Sequence, residues 1–274
     1  MDTTSLSTFS RDGSVLIPNF LDENDIADMR AWVTDVASWS PASVGLGYTL
    51  HHETVCDGTR LLCRVENFTP LHGGLASISE RAAALASAAL GRKALLFKEK
   101  INIKPPQGRG YGAHYDGPSA AAMGFGAQNF VTVQIAVDDQ SVENGCLQVV
   151  SPRGAWPVHR NVIAPVDDDP DMGGRVGAIP DETADFLDFS PIECKAGDAL
   201  VFDHWAPHRS GPNRSDTSRR TLYFIFNAAD EGDWRAAYYE KMAEMRSQWA
   251  KRRQVVETTQ ATTSAAEEGP TLVG

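Results

Sequence analysis

Two histidines and one aspartate, in two short segments of the chain, have the side chains and the spacing of a metal site. His114 and Asp116 belong to the first segment, 112–116, and His208 begins the second, 208–213. Two imidazoles and one carboxylate on one side of an ion leave its other side open, which is the 2-His-1-carboxylate arrangement of non-haem Fe(II) oxygenases. The open positions give a co-substrate and O2 access to the iron. We therefore predict that these three residues bind Fe(II).

An arginine at a fixed distance from the second histidine indicates the kind of co-substrate. Arg219 follows His208 by 11 positions, which is enough chain to place it on the next strand, beside the metal. A guanidinium can hold one end of a dicarboxylate through two charge-assisted hydrogen bonds. Ser210, two positions after His208, can share that histidine's face. The alternative for Arg219 and Arg220 is a solvated basic pair at the start of a strand.

Other interpretations of the two segments stay open. His-x-Asp alone is a weak motif, because the 7 histidines of the chain meet aspartates by chance in surface turns and buried pairs. Zinc also accepts imidazole and carboxylate, although neither segment offers a thiolate. A zinc hydrolase on the same scaffold is one alternative, and it would need no arginine at 219. Another is a catalytically silent, cupin-like metal-binding or regulatory protein.

The elements that must position these residues are short strands. Runs rich in β-forming residues, separated by Gly and Pro turns, occur at 95–104, 130–137, 146–150, 198–202 and 221–227. This pattern is typical of a barrel or a two-sheet jelly roll. We predict a mainly β fold with flanking helices, a cupin-like double-stranded β-helix.

Within a strand, residues two apart share one face, so His114 and Asp116 are expected to point to one place while Tyr115 faces away. Helices are predicted before and after the strands. One begins at 22–25 with acidic residues in its first turn. An alanine-rich helix covers 74–90, and a last helix covers 234–252.

Composition bounds the domain organisation and the class of partner. We predict one domain over 1–253 and a disordered tail over 254–274, which is rich in Thr, Ala and Glu without periodicity. The net charge of -11 disfavours nucleic acid as a partner. No apolar run approaches the ~18 residues of a membrane span, and the N-terminus lacks signal-peptide features. We expect a cytoplasmic protein with reduced cysteines that acts on a small molecule.

The chain resembles the phytanoyl-CoA dioxygenase (PhyH) family of Fe(II)/2-oxoglutarate oxygenases over 9–239. The resemblance includes the His114-x-Asp116 pair and Gly197-Asp198 before a strand, and it is most specific in His208-x-Ser-x-Pro-Asn-x-Ser-x-x-x-Arg219. One departure is Ser151-Pro-Arg-Gly, where family members often carry Pro-Gly-Ser-His. The role of that turn is therefore open.

This resemblance implies the roles of the residues and the reaction. His114, Asp116 and His208 would bind Fe(II), and Arg219 and Ser210 would hold the distal carboxylate of 2-oxoglutarate. A residue that often contacts 2-oxoglutarate in the family corresponds to Asn102 here. The reaction would use O2 to hydroxylate an unactivated C–H bond, with succinate and CO2 as products. Related halogenases lack the carboxylate ligand, so its presence here favours hydroxylation or desaturation.

Lysines near Asn102 indicate an anionic substrate. Lys98 and Lys100 share its side of an extended strand, and lysines inside a barrel are costly unless they meet anions. The alternative is an edge strand whose lysines prevent aggregation. Two segments that begin at Arg64 and Phe97 resemble a bacterial branch of the family that acts on small organophosphonates. Relatives in natural-product pathways share these features, so a natural-product intermediate is the other candidate.

The remaining candidates are less specific. Arg64 and Tyr48 join the lysines as candidate substrate-binding residues. The segment 117–128, next to an iron ligand, is expected to act as a lid. The stretch 151–191, rich in Pro and Asp, is expected to be a long connection, and loops of that length are usually functional lids or disordered. A metal at His51-His52 is less expected than a solvated pair in a loop.

Overall fold

The chain divides into two units of unequal size, Met1–Arg235 and Ala236–Gly274. The structure, a computed structural model, describes residues 1–40, 47–55, 58–117, 124–125, 128–157 and 177–248. The first unit contains all the strands of the described chain. Residues 235–248 are helical, which agrees with the last predicted helix. The predicted tail, 254–274, lies outside the described residues.

Strands in the described residues alternate with turns throughout the first unit. They are β1 (Ser14–Ile17), β2 (Thr49–Thr54), β3 (Arg60–Glu66), β4 (Ala94–Lys104), β5 (Tyr111–His114), β6 (Phe130–Ala136), β7 (Leu147–Val150), β8 (Phe189–Ile192), β9 (Ala199–Asp203), β10 (His208–Ser210) and β11 (Arg219–Ala228). They form a 7-stranded sheet, in the order β1-β9-β6-β11-β4-β3-β2, and a 4-stranded sheet, in the order β5-β10-β7-β8. All the recorded strand pairs are antiparallel. Two such sheets are the layers of a jelly roll, so the predicted fold class is confirmed.

Three helices cover the larger sheet: α1 (Thr3–Asp12), α2 (Glu23–Ala37) and α3 (Gly73–Leu90). A capping box of Asp22 and Asp25 begins α2, and α3 ends at Gly91, whose φ is 68°. A glycine there avoids the strain that a side chain would meet in the left-handed region. Both helix positions agree with the sequence prediction.

The two faces of the larger sheet differ in polarity. One face packs against the helices, and its buried side chains, such as Ile101 and Phe224, belong to the same apolar cluster as Met29 of α2. The opposite face carries polar side chains, among them Asn102 and Thr221, which are cross-strand partners. Because side chains alternate in a strand, the pattern that builds the core also lines the barrel interior with polar groups.

The structure contains elements that the sequence did not indicate. Helix α1 buries a single residue, Phe9, so it lacks the apolar periodicity from which helices are recognised. The polar segment around His51 and His52 forms β2, so its prediction as a loop was wrong. The predicted long connection, 151–191, was drawn too far at its end, since β8 begins at Phe189, and residues 158–176 of it lie outside the described residues. Pro191 in β8 is tolerated because that strand is at the sheet edge.

Two smaller expectations concern membranes and thiols. Within the ranges described, no helix is both long and apolar enough to cross a bilayer. Cys63, Cys146 and Cys194 are buried free thiols. Cys56 lies outside the described residues.

Candidate active site

The donor atoms of His114, Asp116 and His208 converge inside the barrel. These atoms all lie within 4.8 Å of one another. The Nε2 atom of each histidine is 4.0 Å from Asp116 Oδ1, and the two imidazole ring centroids are 4.1 Å apart. The structure thus brings together the three residues that the sequence singled out. Their spacing allows one ion to be bound by all three from one side.

The two histidines are neighbours because of the strand register. His208 of β10 lies directly opposite His114 of β5. The Nδ1 atom of His114 is 2.8 Å from the carbonyl oxygen of Gly112, and that of His208 is 3.0 Å from the carbonyl oxygen of Ala206. A hydrogen bond from Nδ1–H to a carbonyl fixes the tautomer and leaves Nε2 as the ligand atom.

The third donor, Asp116, lies just beyond the end of β5. Backbone hydrogen bonds hold the chain on both sides of it, from Tyr115 N to Gly177 O and from Gly117 N to His204 O, each 2.9 Å long. Tyr115 is buried and contacts the ring of Trp205, so it faces away from the site, as predicted. These bonds keep the carboxylate beside the two imidazoles.

Burial and charge set the protonation states of the three groups. Desolvation, together with repulsion from His208, lowers the pKa of His114 to about 3, and desolvation also lowers the pKa of His208. Burial alone would raise the pKa of Asp116, but attraction to His208 and Lys100 outweighs it and lowers that pKa. At neutral pH the imidazoles are neutral and the carboxylate is ionised, which are the states that metal ligands require.

Thr132 orients the carboxylate, and its removal should weaken metal binding. The buried hydroxyl of this β6 residue donates a hydrogen bond of 3.1 Å to Asp116 Oδ2. Thr132→Val keeps the shape and removes the donor, so we expect the Fe(II) dissociation constant to rise about 10- to 100-fold. Anaerobic competition with a chelator measures it. Thr54→Val, the same change at an exposed strand position, is the control, and equal constants in both variants would contradict the role.

A second group of predicted residues lines a small cavity in the described part of the chain. Arg219, at the start of β11, lines it together with Ser210 and Asn102. The other lining residues are Glu53, Ile103, Lys104, Arg109, Tyr111 and Tyr223. Since β10 carries both His208 and Ser210, this cavity adjoins the three converging donors. The structure therefore gathers all three predicted co-substrate residues around one space.

Arg219 is a buried cation whose hydrogen-bonding capacity is not fully used. Its NH1 and NH2 groups donate to Thr221 Oγ1 and to the carbonyl oxygen of Gly145, each over 2.6 Å. Its Nε is buried and has no hydrogen-bond partner in the described part of the chain. Nor does a described carboxylate form an ion pair with it. A buried guanidinium in this state fits an incoming carboxylate.

Several residues at this cavity were missed by the sequence analysis. Lys104 lies on the same face of β4 as Asn102, and Tyr223 lies on the same face of β11 as Arg219. The alternation of side chains along each strand would therefore have indicated that both residues face the cavity. Tyr111 carries no such signal, because β5 begins with it. Gln140 is not among the lining residues, but it donates a hydrogen bond of 3.2 Å to the hydroxyl of Thr221 in β11. The two residues are 81 positions apart in the chain, so no local pattern reveals this contact.

The strand that carries the lysines is not an edge strand. β4 lies between β3 and β11, so the alternative in which its lysines prevent aggregation is wrong. The ammonium of Lys100 lies 5.0 Å from the ring centroid of Tyr223 and makes no hydrogen bond or ion pair with a described residue. Burial lowers the pKa of Lys100 to about 8, and attraction to Asp116 opposes this shift. Lys98 also contributes to the field at Asp116.

The other two candidate substrate residues have different positions. Arg64 donates to Asn102 Oδ1 over 3.2 Å and to the Tyr111 hydroxyl over 3.3 Å, so it supports the wall of the cavity. Tyr48 is buried, its ring centroid is 4.8 Å from that of Trp39, and its hydroxyl donates to the carbonyl of Ser40. These contacts do not bring Tyr48 to the metal site, and its assignment to substrate binding has no support in them.

The remaining segments have structural contacts or lie outside the described chain. His204 is buried, with Nδ1 2.7 Å from the carbonyl of Phe130. In the turn that departs from the family pattern, Arg153 forms an ion pair of 2.7 Å with Asp203 and donates to the carbonyl of Phe9. That turn therefore joins α1 to β9. Most of the predicted lid, 117–128, lies outside the described residues.

The fold and the three convergent donors are those of a cupin-like, metal-binding jelly roll. Residues 9–221 match the family described as Phytanoyl-CoA dioxygenase (PhyH), and the chain belongs to this family. A methylphosphonate hydroxylase of Gimesia maris is 36% identical over 245 residues, which cover 87% of each chain. A 2-aminoethylphosphonate dioxygenase of the uncultured bacterium HF130_AEPn_1 is 34% identical over 85% of this chain and 84% of its own.

Solved structures of related fold agree with the architecture. EctD from S. alaskensis, with 2-oxoglutarate and 5-hydroxyectoine, has a TM-score of 0.66 at 16% identity, over 84% of this chain and 77% of that chain. The epimerase SnoN, in complex with Fe3+, alpha ketoglutarate and nogalamycin RO, has a TM-score of 0.62 at 19% identity, over 82% of this chain and 83% of that chain. At these identities the likeness concerns the fold.

Proposed function

We propose that this protein is an Fe(II)- and 2-oxoglutarate-dependent dioxygenase that hydroxylates an unactivated C–H bond of a small anionic metabolite. A small organophosphonate is the substrate class that we favour. The observation that carries the proposal is the convergence of two neutral imidazoles and one carboxylate beside a cavity that contains a buried arginine. The names of the two phosphonate-oxidising relatives support the substrate class.

The donor set fits iron. Imidazole nitrogen and carboxylate oxygen suit Fe(II), and the three donors leave room for other ligands on the opposite side. When bound, the iron supplies O2 activation and the oxidation of the C–H bond. The protein's own contribution is to fix the three ligands, through the Nδ1 contacts of the histidines and the hydroxyl of Thr132. A hydrogen-bonded, oriented ligand set of this kind raises metal affinity.

The polar groups that line the adjoining cavity suit the carboxylates of 2-oxoglutarate. Arg219 and Ser210 would bind the distal carboxylate, because a buried guanidinium and a hydroxyl are strong donors to it. Asn102 Oδ1 accepts a hydrogen bond from Arg64, so its NH2 group remains available as a donor to the other end of the co-substrate. These residues orient the diacid and exclude water from it.

Two lysines of β4, Lys98 and Lys100, support an anionic substrate. Asn102, Lys100 and Lys98 follow one another on one side of the strand, at two-residue intervals of about 6.6 Å. Lys100 is an ammonium in a half-buried position without a hydrogen-bonding partner among the described residues. Asp116 attracts this charge but forms no ion pair with it. Because a charge is costly to bury without a directly bonded partner, we infer that the substrate supplies one. A phosphonate next to the oxidised carbon would meet this need.

Lys100→Met should weaken the binding of an anionic substrate. Removal of one charge-assisted contact is expected to raise the substrate KM about tenfold or more, with a smaller change in the 2-oxoglutarate KM. Steady-state kinetics of succinate release measure both constants. Lys93→Met, at an exposed position just before β4, is the control. An unchanged substrate KM in Lys100→Met would remove the argument for an anion.

The reaction itself is tested by O2-dependent release of succinate from 2-oxoglutarate, with added Fe(II) and a panel of phosphonates, betaines and amino acids. Stimulation by one compound, and its oxidised product in the mass spectrum, would support the proposal. A protein that binds metal but releases no succinate with any compound would indicate the silent, cupin-like alternative. Hydrolysis without O2, retained in Arg219→Ala, would indicate the zinc hydrolase.

A further inference from the structure

Two buried cations meet in the cavity that contains Ser210. Lys104, the last residue of β4, lies directly opposite Arg219 in the strand register. Both residues are buried: 4% of the surface of Lys104 is exposed, and 3% of that of Arg219. Neither forms an ion pair with a carboxylate in the described ranges. Two positive charges side by side repel each other and are costly to bury. Their pairing indicates that this place receives an anion.

The contacts of Lys104 restrict how Ser210 can donate. Lys104 Nζ donates to Ser210 Oγ over 2.9 Å and to the carbonyl oxygens of Gly145 and Gly211. These three bonds use all the hydrogens of the ammonium group, which has no acceptor. Because the serine oxygen accepts from Lys104, its own hydrogen must point elsewhere. Ser210 and Arg219 line the same cavity, so that hydrogen can serve the anion that the guanidinium binds.

We propose that Lys104 is a positioning residue for the co-substrate: it orients the Ser210 hydroxyl toward the distal carboxylate of 2-oxoglutarate and takes up a proton as that carboxylate binds. This inference rests on the proposed function, since it requires 2-oxoglutarate in this cavity. It assigns to a lysine at the end of β4 a role that neither Arg219 nor Ser210 fills.

The charges around Lys104 support a linkage to protons. Desolvation, and then repulsion by Arg219, lower the pKa of Lys104 to about 7, while Glu53 and Cys146 oppose this shift. The other groups that face it are the ring of Tyr111, 5.7 Å from Nζ, and Arg109, which lines the same cavity. A bound carboxylate favours the charged ammonium and raises this pKa. Below the lowered pKa, binding moves no proton, and above it the affinity for 2-oxoglutarate falls as pH rises.

Calorimetric titration of 2-oxoglutarate into the anaerobic Fe(II)-loaded protein tests the proposal. Titrations in two buffers of different ionisation enthalpy, at about pH 6 and about pH 8, give the number of protons taken up. We expect uptake by the unmodified protein at the higher pH only. Lys104→Met should bind 2-oxoglutarate about tenfold more weakly or worse, without that uptake. Lys104→Arg should retain most of the affinity and also take up no proton, because a guanidinium stays protonated.

A double-mutant cycle separates positioning from general damage. If Lys104 acts through Ser210, the affinity lost in the Lys104→Met/Ser210→Ala double variant is smaller than the product of the two single losses. Lys93→Met should bind 2-oxoglutarate normally. A melting curve without 2-oxoglutarate shows whether Lys104→Met folds. If it does not fold, the test is the Lys104→Arg variant, which should bind 2-oxoglutarate without taking up a proton.

Two results would overturn the inference while the proposed function stands. One is 2-oxoglutarate binding without proton uptake in the unmodified protein, and the other is uptake that persists in Lys104→Arg. If the affinity lost in the double variant equals the product of the two single losses, Lys104 does not act through Ser210. A protein that binds Fe(II) but not 2-oxoglutarate would instead remove the proposed function, and this inference with it.

Discussion

Asp116→Ala is expected to bring succinate release from 2-oxoglutarate to the limit of detection. The carboxylate is the one anion among the three convergent donors, and its Oδ1 lies 4.0 Å from both histidine Nε2 atoms. Without it, two neutral imidazoles would have to hold a divalent ion. The loss of activity should be larger than the loss of about 10- to 100-fold that follows when only the hydrogen-bond partner of a metal ligand is changed. His114→Ala and His208→Ala should be equally inactive.

Two measurements are needed to interpret the loss of activity in Asp116→Ala. Succinate is measured at saturating Fe(II), and the Fe(II) dissociation constant is measured separately, so that loss of metal and loss of chemistry are distinguished. Asp28→Ala removes an exposed carboxylate of α2 and should retain the activity of the unmodified protein. An Asp116→Ala variant with full iron affinity and full turnover would show that the ion, if one binds, is held elsewhere.

Arg219→Ala should raise the 2-oxoglutarate KM at least about 100-fold while the substrate KM changes little. Hydrogen bonds to charged groups contribute about 1.5–3 kcal/mol each, and the guanidinium can make two of them to one carboxylate. Each 1.4 kcal/mol corresponds to about tenfold in affinity. Steady-state kinetics in which each substrate is varied in turn give the two constants.

The adjacent arginine offers a matched control. Arg220 forms an ion pair of 2.8 Å with Asp138, and its position on β11 turns it to the other face of the sheet. Arg220→Ala should therefore leave the 2-oxoglutarate KM near its original value. Parallel increases in the 2-oxoglutarate and substrate constants of Arg219→Ala would contradict the assigned role.

Much of the fold was predictable because alternation and turn residues mark the strands. The predicted run at 95–104 corresponds to β4, Ala94–Lys104, and the run at 221–227 to β11, Arg219–Ala228. The missed elements have separate causes, and β2 is one example. The β2 segment, Thr-Leu-His-His-Glu-Thr, is half-buried and polar on both faces, so no period appears in it. Its place in the sheet comes from pairing with β3, which is tertiary information.

The three donor residues were predictable because their types and order are specific, even though their convergence depends on distant pairing. The opposition of His208 and His114 depends on the register of β5 and β10, which no local pattern gives. Tyr48 is the opposite case, a predicted substrate residue for which the described contacts give no support. An aromatic residue near polar neighbours suggested a substrate contact, whereas its ring contacts Trp39 and its hydroxyl meets a carbonyl. Alternation along β4 places Lys104 on the same side as Asn102, but its burial at the end of the strand depends on contacts with Ser210 and Gly211, which come from distant parts of the chain.

Under the proposed function, one side of β4 would contact two different molecules, the co-substrate and the substrate. Lys104 and Asn102 line the cavity attributed to the co-substrate, while Lys100 and Lys98 lie farther along the same side of the strand and act electrostatically on Asp116. With these roles, relatives could change the substrate that they oxidise by exchanging the residues at positions 98 and 100 of this strand. The other end, which every catalytic cycle shares, can meanwhile stay constant. New specificities would then evolve without any rearrangement of the scaffold.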